Sequence, residues 1–266
     1  METIGSLFCL HSKYPRPLGD KQMKTIQHLI SILLLSATVA FSGLAHASTS
    51  TKPVPFNQTG FDKYKGTLYK VSQQSGESAT TLAAYMSMES NFRANVCNSA
   101  GSGACGATQF IPGTWKAMVK KHHRKYGLSK NVSRSNAYAN LAMTAEYIKY
   151  NRDVLKQALK RDVTTSEVYL AHLLGAGNAI KVLKANPNRK ITSVISVHRG
   201  NNNLLYSKGK SITVAQFKAN LQRKFTAHSS AYRPAVNNYA LNQLSKEAGL
   251  DQLIAQVSVT RGVNTL

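Results

Sequence analysis

Met86-Ser-Met-Glu89-Ser-Asn-Phe92, then Gly103-Ala-Cys-Gly106-Ala-Thr-Gln109-Phe-Ile-Pro112-Gly-Thr-Trp115, is the stretch around which the chain is organised. Leu82, Met86 and Glu89 fall at i, i+4 and i+7, one face of a helix, and Tyr85, Met88 and Phe92 make an adjoining stripe. Glu89 therefore points toward apolar material at the end of its helix. Partial burial disfavours the charged form of a carboxyl, which is the condition a general acid needs near neutral pH. The plainer reading is a carboxylate that ends a surface helix. A Gly-rich loop follows, and a Gln-Phe-Ile-Pro turn then enters a second helix. One sheltered carboxyl beside a tightly turned backbone suggests a proton donor next to a ligand wall.

Three short motifs lie in order within thirty residues. Glu89-Ser90-x-Phe92, Gly103-Ala104-x-Gly106-x-x-Gln109 and Pro112-x-Thr114 together resemble the soluble lytic transglycosylases and the goose-type lysozymes. That family reads Glu-Ser-x-Phe, Gly-Ala-x-Gly-Leu-Met-Gln and Pro-x-Thr, and here Ala107-Thr108 replaces Leu-Met. The resemblance spans residues 61–225. It implies a mostly α, lysozyme-like fold with helical lobes around a substrate cleft. It also implies Glu89 as the catalytic residue, and Ser90, Gln109 and Phe110 as substrate contacts beside the Gly-rich backbone. The replacement at Thr108 puts the usual Met contact in doubt.

Two further segments extend the likeness. Ala145-Glu146-Tyr147-Ile148 matches the central helix in which the family places a Tyr close to the catalytic carboxyl, although Tyr147 alone also reads as a core residue. Val168-Tyr-Leu-Ala-His172-Leu-Leu-Gly-Ala-Gly177 resembles the last motif, Ala-Tyr-Asn-x-Gly-x-Gly, with His172 in place of the Tyr and Leu173 in place of the Asn. The Tyr-Leu-Ala-His variant of phage-type endolysins is closer. Tyr169 and His172 stand at i and i+3, so both can face one cleft. A lone His on an apolar helix also reads as a core residue.

The 266 residues and 42% hydrophobic content suit a globular chain of one or two domains, but the formal net charge is +23. Such a charge favours a polyanionic partner: nucleic acid, an anionic membrane or an acidic cell envelope. The N-terminus carries export logic. A basic start at Met23-Lys24, an apolar run over Leu29–Phe41 and an Ala45-His46-Ala47 cleavage site read as a signal peptide over 1–47, with Met23 as the true start. The run is short of the ~20 apolar residues of a membrane span; an uncleaved anchor is the other reading. The expected location is periplasmic or secreted. Residues 1–47 hold four basic and two acidic residues, so their removal leaves +21.

The processed chain keeps Cys97 and Cys105. An even count in an exported protein favours a disulfide, and two free thiols are the alternative. Their spacing gives no zinc site, and no metal or cofactor is expected. Residues 48–60, with Pro53 and Pro55, read as a linker. A helix begins near Phe61, with Phe61, Tyr64, Leu68 and Val71 at helical spacing, and Gly76 breaks it. Ser78 or Thr80 caps the Glu89 helix. Trp115, Met118, Val119, His122 and Tyr126 form an apolar face. Lys116, Lys120, Lys121, His123, Arg124 and Lys125 form the opposite one, a solvated face or an envelope contact. It lacks the interleaved exposed aromatics of a nucleic-acid surface, so nucleic acid is not the expected partner. Residues 135–160 form a long helix. Thr164-Thr-Ser-Glu167 and Thr213-Val-Ala-Gln216 are capping boxes. The first opens the His172 helix, and the second opens a helix to about Phe225. Residues 177–185 make a short helix stopped by Pro187, and Asn201–Asn203 a loop. Residues 226–266 form a C-terminal extension with a further helix over Ala235–Val257.

By resemblance the expected reaction is lytic transglycosylation of peptidoglycan glycan strands. Glu89 protonates the oxygen between N-acetylmuramic acid and N-acetylglucosamine, and a 1,6-anhydro ring closes. Most glycosidases use two carboxylates, but none of Asp62, Glu77 or Glu146 lies in a motif that places it across the cleft. The alternatives are a hydrolysing muramidase and a non-catalytic basic binder of cell wall or nucleic acid. Wall turnover, service to a secretion or conjugation machine, and attack on other cells are all compatible with the sequence.

Overall fold

The computed structural model describes residues 53–98, 101–196 and 204–249. The signal peptide over 1–47, the start at Met23, the first five linker residues, the Asn201–Asn203 loop and the end of the Ala235–Val257 helix lie outside them.

The fold is helical. Helix α1 spans Gln58–Ser75, and buries Phe61, Tyr64, Leu68 and Val71. It begins three residues before Phe61 because Asn57 caps it, accepting from the Gly60 N–H at 2.9 Å. Gly76 ends it in the left-handed conformation, φ 75°, donating its N–H to Ser72 O. Helix α2, Ala79–Ser90, is capped by Ser78. It is buried on nearly every side from Thr81 to Ser87, as expected of a helix that forms the centre of a core. Helix α3, Pro112–His122, carries Pro at its first position, where a missing N–H costs nothing. A 3-10 turn, His123–Tyr126, extends it to Gly127. Helix α4, Ala137–Leu159, starts at the Asn136 cap and buries Leu141, Ala145 and Ile148. Helices α5, Thr165–Leu174, and α6, Ala176–Lys184, meet at Gly175. A small hairpin pairs β1, Tyr206–Ser207, with β2, Lys210–Ser211. Its turn residues Lys208 and Gly209 both have positive φ, the backbone a two-residue hairpin needs.

The last helix differs from expectation. Helix α7 runs unbroken from Val214 to Glu247, past Phe225 and through Pro234. The polar composition after Thr226 conceals a thinned apolar stripe. Phe225, Tyr232 and Val236 continue the buried stripe of Phe217 and Leu221, and that burial outweighs the backbone donor lost at Pro234. Helix α7 packs on α2, on α5 and on α1. Tyr232 is fully buried, its ring 4.8 Å from Phe92 and 6.1 Å from Phe61. Its hydroxyl accepts the backbone N–H of Asn57 at 3.0 Å. The Glu89 helix therefore lies between α1, α4 and α7.

Candidate active site

Helix α2 ends in two consecutive left-handed residues, Asn91 at φ 49° and Phe92 at φ 62°. The chain turns away sharply there. Phe92 enters the core, while Glu89 stays in the last helical turn at the protein edge, its side chain 15% exposed. Ser90 is buried. Its hydroxyl donates to Ala107 O at 2.8 Å, so it fastens the helix end to the following loop and faces neither cavity described below.

That loop is heavily braced. Cys97 and Cys105 are joined by a disulfide, with Cα atoms 4.1 Å apart. Cys105 and Phe110 exchange both backbone hydrogen bonds at 3.0 Å, which closes Gly106–Gln109 into a tight turn. Gly106 has φ 91°, and a Cβ there would lie 2.2 Å from Arg134 O and 2.3 Å from Asn140 Nδ2, so only glycine fits. Gln109, at φ 55°, donates from Nε2 to Val96 O and Gly106 O, both at 3.0 Å. Its side chain thus braces the turn while it lines the cleft. Arg134 clamps the outside, donating to Gly103 O and Phe110 O.

Thr108 faces the core. It is fully buried, and its N–H and hydroxyl both reach Asn140 Oδ1, at 2.9 and 2.8 Å. The hydroxyl also meets Thr144 Oγ1 at 2.7 Å. The Thr that stands where the family has Met is therefore a bolt into α4. Asn140, Thr144 and Arg134 went unmarked in the sequence. The available signal was Asn140 and Thr144 spaced i, i+4 among Ala and Leu, which are polar groups with no route to water.

Helix α5 supplies the partners of Glu89. The Tyr169 hydroxyl donates to Glu89 Oε1 at 2.6 Å. Burial, with the Glu89 carboxylate beside it, pushes the Tyr169 hydroxyl well above its ordinary range, so it keeps its proton. His172 lies one turn on, its ring stacked at 6.0 Å on that of Tyr169. His172 Nε2 is 3.1 Å from Thr108 O and 3.8 Å from Glu89 Oε1. A carbonyl only accepts, so Nε2 carries the hydrogen. Burial holds this imidazole below its ordinary value, against the opposing pulls of Glu89 and Thr108 O, and it is neutral. Its Nδ1 and the Tyr85 hydroxyl are both buried without a partner among the described residues.

Two adjoining cavities form the cleft. One, about 440 Å³, is lined by Glu89, Gln109, His172, Asn178 and their neighbours. The other, about 270 Å³, shares Gln109, Ile111 and His172 with it and adds Phe110 and Tyr147. Phe110 is mostly a core residue, 5.5 Å from the Trp115 ring and 5.9 Å from that of Tyr147. Tyr147 presents an edge to His172 at 5.8 Å, and the half-exposed Tyr150 stacks on it at 6.1 Å. The structure thus brings Glu89, Gln109, Phe110, Tyr147 and His172 to one cleft. Tyr169 stands behind Glu89 and Ser90 beneath it.

Among the described residues Glu89 is the sole carboxylate lining either cavity. Glu77 is buried against Arg152 at 2.8 Å. Burial works against the Glu146 carboxylate, but Lys125 and Tyr126 hydrogen-bond to it and hold it below its ordinary range. No group of three or more His, Cys, Asp or Glu able to hold a metal occurs among the described residues.

A family model, the transglycosylase SLT domain, matches residues 67–195. The matched segment holds every residue of the cleft named above and ends shortly before the hairpin, leaving α7 outside it. Over these residues the chain is similar to the transglycosylase SLT domain, a likeness consistent with the soluble lytic transglycosylases and lysozyme-like proteins.

Proposed function

We propose that this protein is a peptidoglycan lytic transglycosylase, with Glu89 as acid and then base. A transglycosylase SLT domain supports action on peptidoglycan. The observation that carries the finer reading is the asymmetric treatment of one carboxyl. Oε1 receives the Tyr169 hydroxyl, and Oε2 has no hydrogen-bond partner among the described residues. The oxygen that accepts a hydrogen bond is the poorer one for proton exchange, so Oε2 is the oxygen that gives the proton to the substrate and takes it back.

The cycle then balances on one group. Oε2–H protonates the glycosidic oxygen between C1 of N-acetylmuramic acid and O4 of N-acetylglucosamine, and the C1–O4 bond breaks. The developing cation at C1 faces a carboxylate whose charge is stabilised by the Tyr169 O–H. The muramyl 6-hydroxyl adds to C1 and gives its proton to Oε2, which closes the 1,6-anhydro ring and restores the acid. No water is consumed. Hydrolysis by a water held on a second carboxylate is disfavoured by the engagement of Glu77 and Glu146 in ion pairs away from the cleft. Gln109, Tyr147 and His172 are placed to contact the sugars, and the leader over 1–47 fits export to the wall. Among the described residues no helix is long and apolar enough to cross a membrane.

Mass spectrometry of fragments released from purified peptidoglycan tests this. Fragments lighter by one water than their reducing counterparts are expected. Reducing ends alone would make the reaction hydrolysis, and no fragments at all would remove the enzyme reading.

A further inference from the structure

We infer that the face formed by α3 and the turn after it docks on the phosphate headgroups of an anionic bilayer. From Ser90 to Ala145 the chain holds no Asp or Glu but eight Lys and Arg. Three of the eight have internal tasks. Arg93 donates to Ser90 O, Arg134 clamps the Gly-rich loop, and Lys125 pairs with Glu146 at 2.6 Å. The remaining five are Lys116, Lys120, Lys121, Arg124 and Lys130. All are exposed, all line one groove of about 880 Å³, and none makes a hydrogen bond or ion pair among the described residues. The division is complete: every cation of this run without an internal partner sits on the groove.

Folding alone does not favour this arrangement. Lys116 and Lys120 stand at i, i+4 on α3, where like charges repel. The helix dipole rewards Lys120 and Lys121 in the last turn, but it gives no reason for Lys116 or Lys130. Five cations left unneutralised together suit an external array of anions.

The chemistry of the groove narrows the occupant. Its floor is apolar: Trp115 lies flat in the core at 9% exposure, its Nε1 donating to Val132 O at 3.2 Å, with Val119 buried beside it. A cationic rim over an apolar floor suits a lipid surface, which offers phosphates with hydrocarbon beneath. Trp115 is too buried to act as a stacking platform, so the groove lacks what single-stranded nucleic acid requires. The groove shares no lining residue with either cavity of the cleft, so docking there leaves Glu89 open.

The test is flotation with vesicles of phosphatidylcholine alone and of phosphatidylcholine mixed with phosphatidylglycerol. It uses a chain starting at Ser48, which keeps every described residue and removes the apolar run 29–41 that would bind lipid by itself. One variant carries Lys116→Gln, Lys120→Gln, Lys121→Gln and Arg124→Gln. A control of equal net charge carries Lys181→Gln, Lys184→Gln, Lys190→Gln and Lys224→Gln, all exposed. The unsubstituted chain and the control should float with the anionic vesicles only, and the groove variant should lose on the order of a hundredfold or more in partition. Its release of fragments from purified peptidoglycan should be unchanged, a readout independent of the docking result. Equal loss in groove variant and control would reduce the effect to net charge and overturn the proposal. Tighter binding to an oligonucleotide or to wall fragments than to anionic vesicles, lost in the groove variant, would overturn it in favour of that partner.

Discussion

The Tyr169 hydroxyl reaches across from α5 to Glu89 Oε1 at 2.6 Å, so the two helices that flank the cleft share one proton-bearing contact. The donor is the residue one turn before the His172 that occupies the family's Tyr position. Tyr169→Phe keeps the ring and its packing on Tyr85 and Phe225 and removes only this bond. A hydrogen bond to a charged group contributes ~1.5–3 kcal/mol, so kcat should fall about ten- to hundredfold. KM and the identity of the products should not change. A rise in KM at constant kcat would make Tyr169 a binding residue instead.

Glu89→Gln is nearly isosteric and should fold as the wild type does. It can neither give nor take the proton. General acid–base catalysis contributes typically ~10²–10⁴-fold, and one group fills both roles here. The variant should still pellet with purified peptidoglycan yet release almost nothing from it. Release near the wild-type rate would move the catalytic assignment elsewhere.

Asn140→Ala removes the acceptor shared by two Thr108 donors at zero exposure. The Thr108 hydroxyl keeps Thr144 Oγ1, but the Thr108 N–H is left unpaired. A buried group left unpaired costs ~1–3 kcal/mol, so denaturant titration should show a loss of that order. Activity should fall as well, because Thr108 O is the partner of His172 Nε2. An unchanged unfolding midpoint would contradict the bolt between loop and α4.

Cys97 and Cys105 should be recovered oxidised, which mass spectrometry of non-reduced peptides checks directly. The bridge spans eight residues, for which chain entropy predicts roughly 2.5 kcal/mol. Cys97→Ser with Cys105→Ser should lower the melting temperature by that equivalent.

Stability should fall on mild acidification. His228 on α7 meets Ser87 Oγ of the Glu89 helix through Nδ1 at 2.8 Å. Burial, aided by the nearby Lys224 charge, pushes its imidazole down to about 4, against ~6.5 unfolded. The unfolded chain therefore binds the extra proton first, and folding free energy declines as pH drops from ~6.5 toward the folded value. Allowing for partial exposure, the loss should be on the order of 1–2 kcal/mol. Melting curves of His228→Gln should have a shallower pH slope in that window; an equal slope would exclude His228 as its source.

The helices and their ends were legible because caps are written locally. Ser78, Thr164 with Glu167, Thr213 with Gln216 and the left-handed Gly76 all act within four residues of themselves. Glu89 was legible through its motifs. Which α5 side chain meets its carboxyl was not, since that depends on how α5 is rotated against α2. The inward turn of Thr108 was hidden too: a Thr in a Gly-rich loop looks the same whether its hydroxyl meets water or a buried Asn. Helix α7 reads as shorter from sequence because its buried stripe thins after Phe225, where two turns pass before Tyr232 and one more before Val236, too sparse to outweigh the polar composition around it.

The clasp between Tyr232 and Asn57 has a bearing on the order of biosynthesis. Chains are made from the N-terminus, so α7 arrives only after every cleft residue has been polymerised. Until it does, Tyr85 and Phe92 lack the Phe225 and Tyr232 rings that cover them, and Glu89 sits on a helix without one of its walls. An unfinished chain thus holds all of the cleft side chains but not the scaffold that aligns them, and competence waits for α7.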